Sequence, residues 1–165
     1  LMDMPLDKFI NDDQIKQDYC IMWANENWTR TWDGHDKEVL IQQDYLESDE
    51  DAFIADTSRY MAHERYMQVN GRPLFILYRP GLLPNAKATL QRWRELWTDT
   101  LGVTPWILMV QGFGDLDPRE YGLDGAMEFP PHKVAINVPD MNQELTLFDP
   151  DFAGHVRSYD GIINE

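Results

Sequence analysis

Between Trp23 and Gly34 the chain carries the carboxylates Glu26 and Asp33, the carboxamides Asn25 and Asn27, the guanidinium of Arg30, and the indoles of Trp23, Trp28 and Trp32. A loop needs none of this for solubility. Flat aromatic faces beside fixed hydrogen-bonding groups are what a sugar-binding cleft requires. The rings cover the apolar C–H side of a pyranose, and the polar groups read its hydroxyls. Trp28 and Trp32 are the candidate stacking platforms, Trp23 packs the rim or joins the same wall, and Asp33 completes the candidate contacts. Glu26 is the strongest polar candidate. It either contacts sugar and takes part in catalysis, or orders its own loop through backbone amides or Arg30.

A second set of candidates lies further along. Glu128 sits between Met127 and Phe129, where partial burial would favour its protonated, acid form; the structural alternative is a buried acid paired with an arginine such as Arg79. Arg79 would hold a carboxylate, an anionic sugar or a phosphate, with an internal salt bridge the favoured use. Asn25 and Gln111 each donate and accept, as discrimination between hydroxyls demands, and both also suit bonding to loop backbone. His132 is rigidly placed after Pro130 and Pro131. Two carboxylates about 5–5.5 Å apart suit a retaining glycosidase, and about 6.5–9.5 Å an inverting one. Glu26 and Glu128 are the candidate catalytic carboxylates, and opposite positions across a barrel mouth would make them a clamp at or beyond the wider range.

The elements that must position these residues show in the apolar pattern. Strands are expected at Tyr19 to Trp23, Leu74 to Tyr78, Trp106 to Val110 and Asp124 to Glu128. Helices are expected at Pro5 to Lys16, from a Ser48 cap to about Ala62, from Pro84 to Leu101 with Gly102 closing it, and at Asp149 to Tyr159. Asn70-Gly71 is a turn. Strand, polar loop, helix, strand is the order of parallel βα units, and each candidate sits where a strand gives way to its loop. That is the C-terminal rim on which (β/α)8 barrels build their sites. Four units fit within 165 residues, against about 250 for a closed barrel. The expected fold is therefore α/β, of the (β/α)8 TIM-barrel type, with four central units present.

Composition narrows the partners. A formal charge of −15, from 29 acidic and 14 basic residues, repels phosphate backbones and argues against nucleic acid. No apolar run approaches the ~18 residues of a membrane span. Cys20 is the single cysteine, which fits a reducing, cytoplasmic compartment. His35, His63, His132 and His155 lack metal-ligand spacing, so neither metal nor cofactor is expected. The chain begins at Leu1, which suggests a piece of a longer protein.

Trp23-Ala24-Asn25-Glu26-Asn27-Trp28-Thr29-Arg30 with Trp32-Asp33-Gly34 resembles the WbsX-type proteins, also described as glycoside hydrolase family 99-like domains. Asn70-Gly71-Arg72-Pro73, Tyr78-Arg79-Pro80, Gln111-Gly112-Phe113-Gly114 and Glu128-Phe129-Pro130-Pro131-His132 agree in order. The resemblance implies one partial barrel domain over residues 1–165, corresponding to about strands three to six. It also implies action on glycosidic bonds of mannose-containing or bacterial surface polysaccharide, such as O-antigen or lipopolysaccharide. Hydrolase relatives are retaining endo-acting α-mannosidases without a metal requirement. Their catalytic carboxylates lie in an Asn-Glu-Trp-x-x-Glu-like motif on the last strand, which this chain lacks; Asn164-Glu165 is not that motif. Many relatives are instead labelled glycosyltransferases, and a third reading is a non-catalytic carbohydrate-binding barrel. An oligosaccharide or polysaccharide is the expected partner under all three.

Overall fold

The structure, a computed structural model, describes residues 3–30 and 34–128. The chain divides into two compact units, Leu1–Met127 and Glu128–Glu165, and the elements below belong to the first, with Glu128 alone beyond that boundary. The expected helix at Asp149 to Tyr159 lies outside the described residues.

All four expected strands form, and they join one sheet in the order β1 (Ile21–Trp23), β5 (Arg72–Leu77), β6 (Trp106–Gln111), β7 (Gly125–Glu128). β1 pairs parallel with β5, and β5 parallel with β6. The apolar runs bury alternate residues against helices, because successive side chains point to opposite faces. Phe75 and Leu77 of β5 and Ile107 and Met109 of β6 share one cluster with Ile54 and Met61 of α2 (Glu47–Met61) and Leu90, Trp93 and Trp97 of α3 (Ala86–Leu101). Each parallel pair is thus linked through a helix on that face, as parallel strands demand.

Local chemistry sets the boundaries. In α3 the buried Leu90, Trp93 and Trp97 recur at helical spacing, and Gly102, with φ +73°, closes the helix by donating to the Thr98 carbonyl at 2.8 Å. Asn70 and Gly71 both have positive φ (52° and 76°). That is the backbone a two-residue hairpin turn requires, and it folds β4 (Gln68–Val69) antiparallel onto β5. The first helix, α1, spans Asp3–Asn11 and stops short of the expected Lys16. Its extension is replaced by a local turn in which Asp12 Oδ1 accepts from the Gln14 amide and the Asp12 carbonyl from Ile15, the competition typical of aspartate side chains. For α2 the cap position falls on Leu46 and not on Ser48, and no side chain caps it.

A hairpin in the tryptophan-rich segment was not expected. Residues between the first strand and α2 read as loop, yet β2 (Trp28–Arg30) and β3 (His35–Ile41) form an antiparallel hairpin. Trp28 faces Ile41 and Thr29 faces Val39, pairs of the aromatic and β-branched kind that stabilise sheets. Register shifts on both sides of Thr29 break the strict alternation by which a sequence announces a strand.

Polar ties lock the helices to the sheet. Trp97 Nε1 donates to Thr57 Oγ1 at 2.9 Å, joining α3 to α2. Asp124 takes Arg94 at 2.6 Å and Arg72 at 3.0 Å while accepting from the Ile107 amide at 2.8 Å, which fixes the entry to β7. Several tyrosines hold their protons tightly. Burial, then a hydrogen bond to Asp7, pushes Tyr60 up to about 12. The hydrogen bond to Asp115, then burial, does the same for Tyr121, also to about 12, and burial raises Tyr66. Unfolded tyrosines ionise near 10.0, so the folded state retains protons that the unfolded state loses. Stability from these groups is complete below pH 10 and falls as pH rises from there toward 12. A pH titration following tyrosinate absorbance and helix content together is expected to show a shared alkaline transition. Ionisation near 10 with the fold intact would contradict it.

Candidate functional site

The strand ends build the site. After β1 the chain runs through Ala24 to Asn27, and after β5 through Tyr78 and Arg79. Asn25 is fully buried at this junction. Its Oδ1 accepts from the Arg79 amide at 2.7 Å, and its Nδ2 donates to the Arg79 carbonyl at 2.8 Å and to Tyr45 Oη at 3.3 Å. Tyr45 Oη donates back to the Asn25 carbonyl at 2.6 Å. The Asn25 carboxamide therefore reads backbone. It welds the end of β1 to the end of β5, the structural use weighed beside hydroxyl recognition.

That weld presents an ion pair. Arg79 Nη1 donates to Glu26 Oε2 at 3.1 Å, with roughly a third of the Glu26 side chain exposed. The expected internal salt bridge of Arg79 thus forms, and its partner is Glu26. Arg30 instead pairs with Glu38 at 3.1 Å. The Arg79 guanidinium also lies over the Phe113 ring, 4.4 Å from its centroid, a cation–π placement. Phe113 meets Tyr78 edge-on at 5.5 Å. Arg79 Nε is buried without a hydrogen-bond partner. Burial, then the negative charge of Glu26, raises the Tyr78 hydroxyl above the ordinary tyrosine value, so Tyr78 stays a neutral hydroxyl at physiological pH.

The loop after β6 is tied to the loop after β5. Asp115 accepts from the Gly81 amide at 3.3 Å and from Tyr121 Oη at 2.6 Å. A Cβ at position 81 would lie 2.5 Å from Asp115 Oδ1, so any larger residue there would push the Asp115 carboxylate out of this approach. Gln111 spends its amide inside this loop, donating to the Leu116 carbonyl at 3.0 Å.

The remaining candidates separate. Trp28 is 53 % exposed on the hairpin, as a platform must be. Trp23 packs its ring against Phe53 at 4.7 Å and Trp93 at 5.6 Å, so it serves the wall between sheet and helices. Glu128 is exposed at the end of β7. The partial burial expected from its apolar neighbours is not observed, and Arg79 is engaged with Glu26. Trp32, Asp33 and His132 lie outside the described residues. Sequence reasoning gave no site role to Tyr45, Tyr78 or Phe113. Only the positions of Tyr78 and Phe113 next to expected strand ends hinted at one, and Tyr45 carried no such signal.

Among the described residues no group of three or more His, Cys, Asp or Glu could hold a metal ion, and no helix is long and apolar enough to cross a membrane. What remains is a rim of fixed polar groups and aromatic edges at the C-terminal ends of parallel strands, the plan of an α/β protein built from successive βα units. The chain belongs to the WbsX family: the family model described as Glycosyltransferase WbsX matches residues 1–165. Two proteins of Xanthomonas campestris pv. campestris, both named Uncharacterized protein WxcX, from strains B100 and ATCC 33913, are each 41% identical over 157 residues. The match covers 94% of this chain and 22% of each relative, so the chain spans about a fifth of the curated relatives' length. No solved structure matches.

Proposed function

We propose that the chain supplies part of the sugar site of an enzyme acting on glycosidic bonds of bacterial surface or mannose-containing polysaccharide, within an arc of a (β/α)8 barrel. The observation that carries this reading is the Glu26–Arg79 pair, held at the strand ends by a buried Asn25. The barrel reading rests on sequential parallel strands with helices on one face. An ion-paired carboxylate is an acceptor, suited to gripping sugar hydroxyls or to acting as base or nucleophile. Arg79 keeps further N–H groups for hydroxyl oxygens. Phe113 and Tyr78 border the pair, and Trp28 offers a stacking face. A further bond-breaking carboxylate comes from elsewhere in the full-length protein.

Hydrolysis and transfer share this apparatus and differ in what reaches the anomeric carbon. Incubating the full-length protein with mannan and with bacterial surface polysaccharide is expected to release new reducing ends. Elongation of an acceptor oligosaccharide from an activated donor, with no reducing ends formed, would establish the transferase alternative. Glycan binding without either reaction would leave a carbohydrate-binding module. A protein that neither binds nor alters any glycan would overturn the proposal.

A further inference from the structure

A cleft of about 340 Å³ opens between the first halves of α2 and α3, within the ~300–1,000 Å³ usual for small-molecule sites. Its aromatic wall is Trp23, Tyr45, Phe53 and Trp93, rings already packed on one another with Phe53 4.9 Å from Trp93. One buried polar atom on this wall lacks a hydrogen bond: the indole N–H of Trp93, a residue 3 % exposed. Beside it, Glu50 Oε2 is held in an ion pair by Arg92 Nε. The contrast with Trp97 is informative, since its N–H is satisfied by Thr57 in the same cluster. A buried donor left unsatisfied is costly, and the oxygen of a ligand hydroxyl would satisfy it.

Resting on the carbohydrate reading above, we infer that this cleft is a second pyranose subsite, separate from the Glu26–Arg79 pair. The ring's C–H face lies on the aromatic wall, one hydroxyl oxygen accepts from Trp93 Nε1, and the Glu50–Arg92 ion pair borders the sugar. Asp44, Asp49 and Glu50 against the single Arg92 give the lining a net negative balance. The subsite therefore takes neutral or amino-bearing hexoses and rejects uronic or phosphorylated ones. Tyr45 belongs to both places, lining the cleft and bonding Asn25, so occupancy bears on the rim through one hydroxyl.

The test is a glycan array of neutral, amino and acidic hexose oligosaccharides, probed with the full-length protein and three variants. Ala88 is exposed on the cleft edge, so Ala88→Trp fills the space without disturbing the core and is expected to abolish the neutral and amino-sugar signals. Trp93→Phe keeps a ring and removes the donor, weakening the same signals about 2–10-fold. Glu26→Gln is expected to leave them in place while lowering turnover. An array pattern unchanged by Ala88→Trp, or one confined to acidic sugars, overturns the subsite. Retained turnover with no Ala88-dependent binding sinks the subsite alone. Ala88-dependent binding without any turnover upholds it and removes the catalytic reading.

Discussion

Replacing Glu26 by glutamine is expected to lower polysaccharide turnover by the full-length protein about 10²–10⁴-fold, the usual weight of a positioned acid–base group. The substitution keeps shape and hydrogen-bonding reach but removes the negative charge. Arg79 loses its counterion while its guanidinium stays over Phe113, and the site loses its one ion-paired acceptor. Stability changes much less. Both side chains are partly exposed, so the pair contributes at most about 1 kcal/mol. Turnover measured beside a thermal melt separates the two effects. Turnover within a few-fold of wild type would remove Glu26 from any essential role, and a large melting shift would mark the pair as structural.

The largest stability effect is expected at the residue beside it. Asn25→Ala deletes three hydrogen bonds of a fully buried side chain and leaves the Arg79 amide unsatisfied, while the Arg79 carbonyl keeps the Leu82 amide at 3.1 Å. At ~1–3 kcal/mol for the buried group left unpaired and ~1 kcal/mol for each of the other two bonds lost, the loss is about 3–5 kcal/mol. The unfolding transition reported by the buried tryptophans is expected to move to lower temperature and lower denaturant. Asn25→Asp, which is isosteric but turns an acceptor toward the Arg79 carbonyl, is expected to be nearly as damaging. A side chain that reads sugar would behave in the opposite way, raising KM with stability unchanged. That outcome would overturn the weld between β1 and β5.

These two neighbours show how far sequence patterns reach. Glu26 and Asn25 announce themselves equally in the sequence, as polar residues just past an apolar strand. Nothing in their order says that one forms a partly exposed ion pair and the other bonds backbone 54 positions away. The same holds for Arg79. Its position after β5 was legible, but its choice of Glu26 over Glu128 depends on which strands become neighbours. Tyr78 and Phe113 passed as strand and loop residues because an aromatic near a strand end has no distinctive spacing. Their roles arise when the β5 and β6 ends are brought side by side.

The sequence by itself determined the βα order, the four strands, the α3 stripe of Leu90, Trp93 and Trp97, the Asn70-Gly71 turn and the family. All are local or periodic signals, set by burial alternation, helical spacing and positive φ. The tertiary structure decided the rest. It placed a hairpin inside the tryptophan-rich segment, turned Asn25 into a structural clasp, paired Arg79 with Glu26, and opened an aromatic cleft between α2 and α3. Those outcomes depend on contacts between residues distant in sequence, whose energies come from burial and hydrogen bonding that exist only once the sheet and its helices have come together.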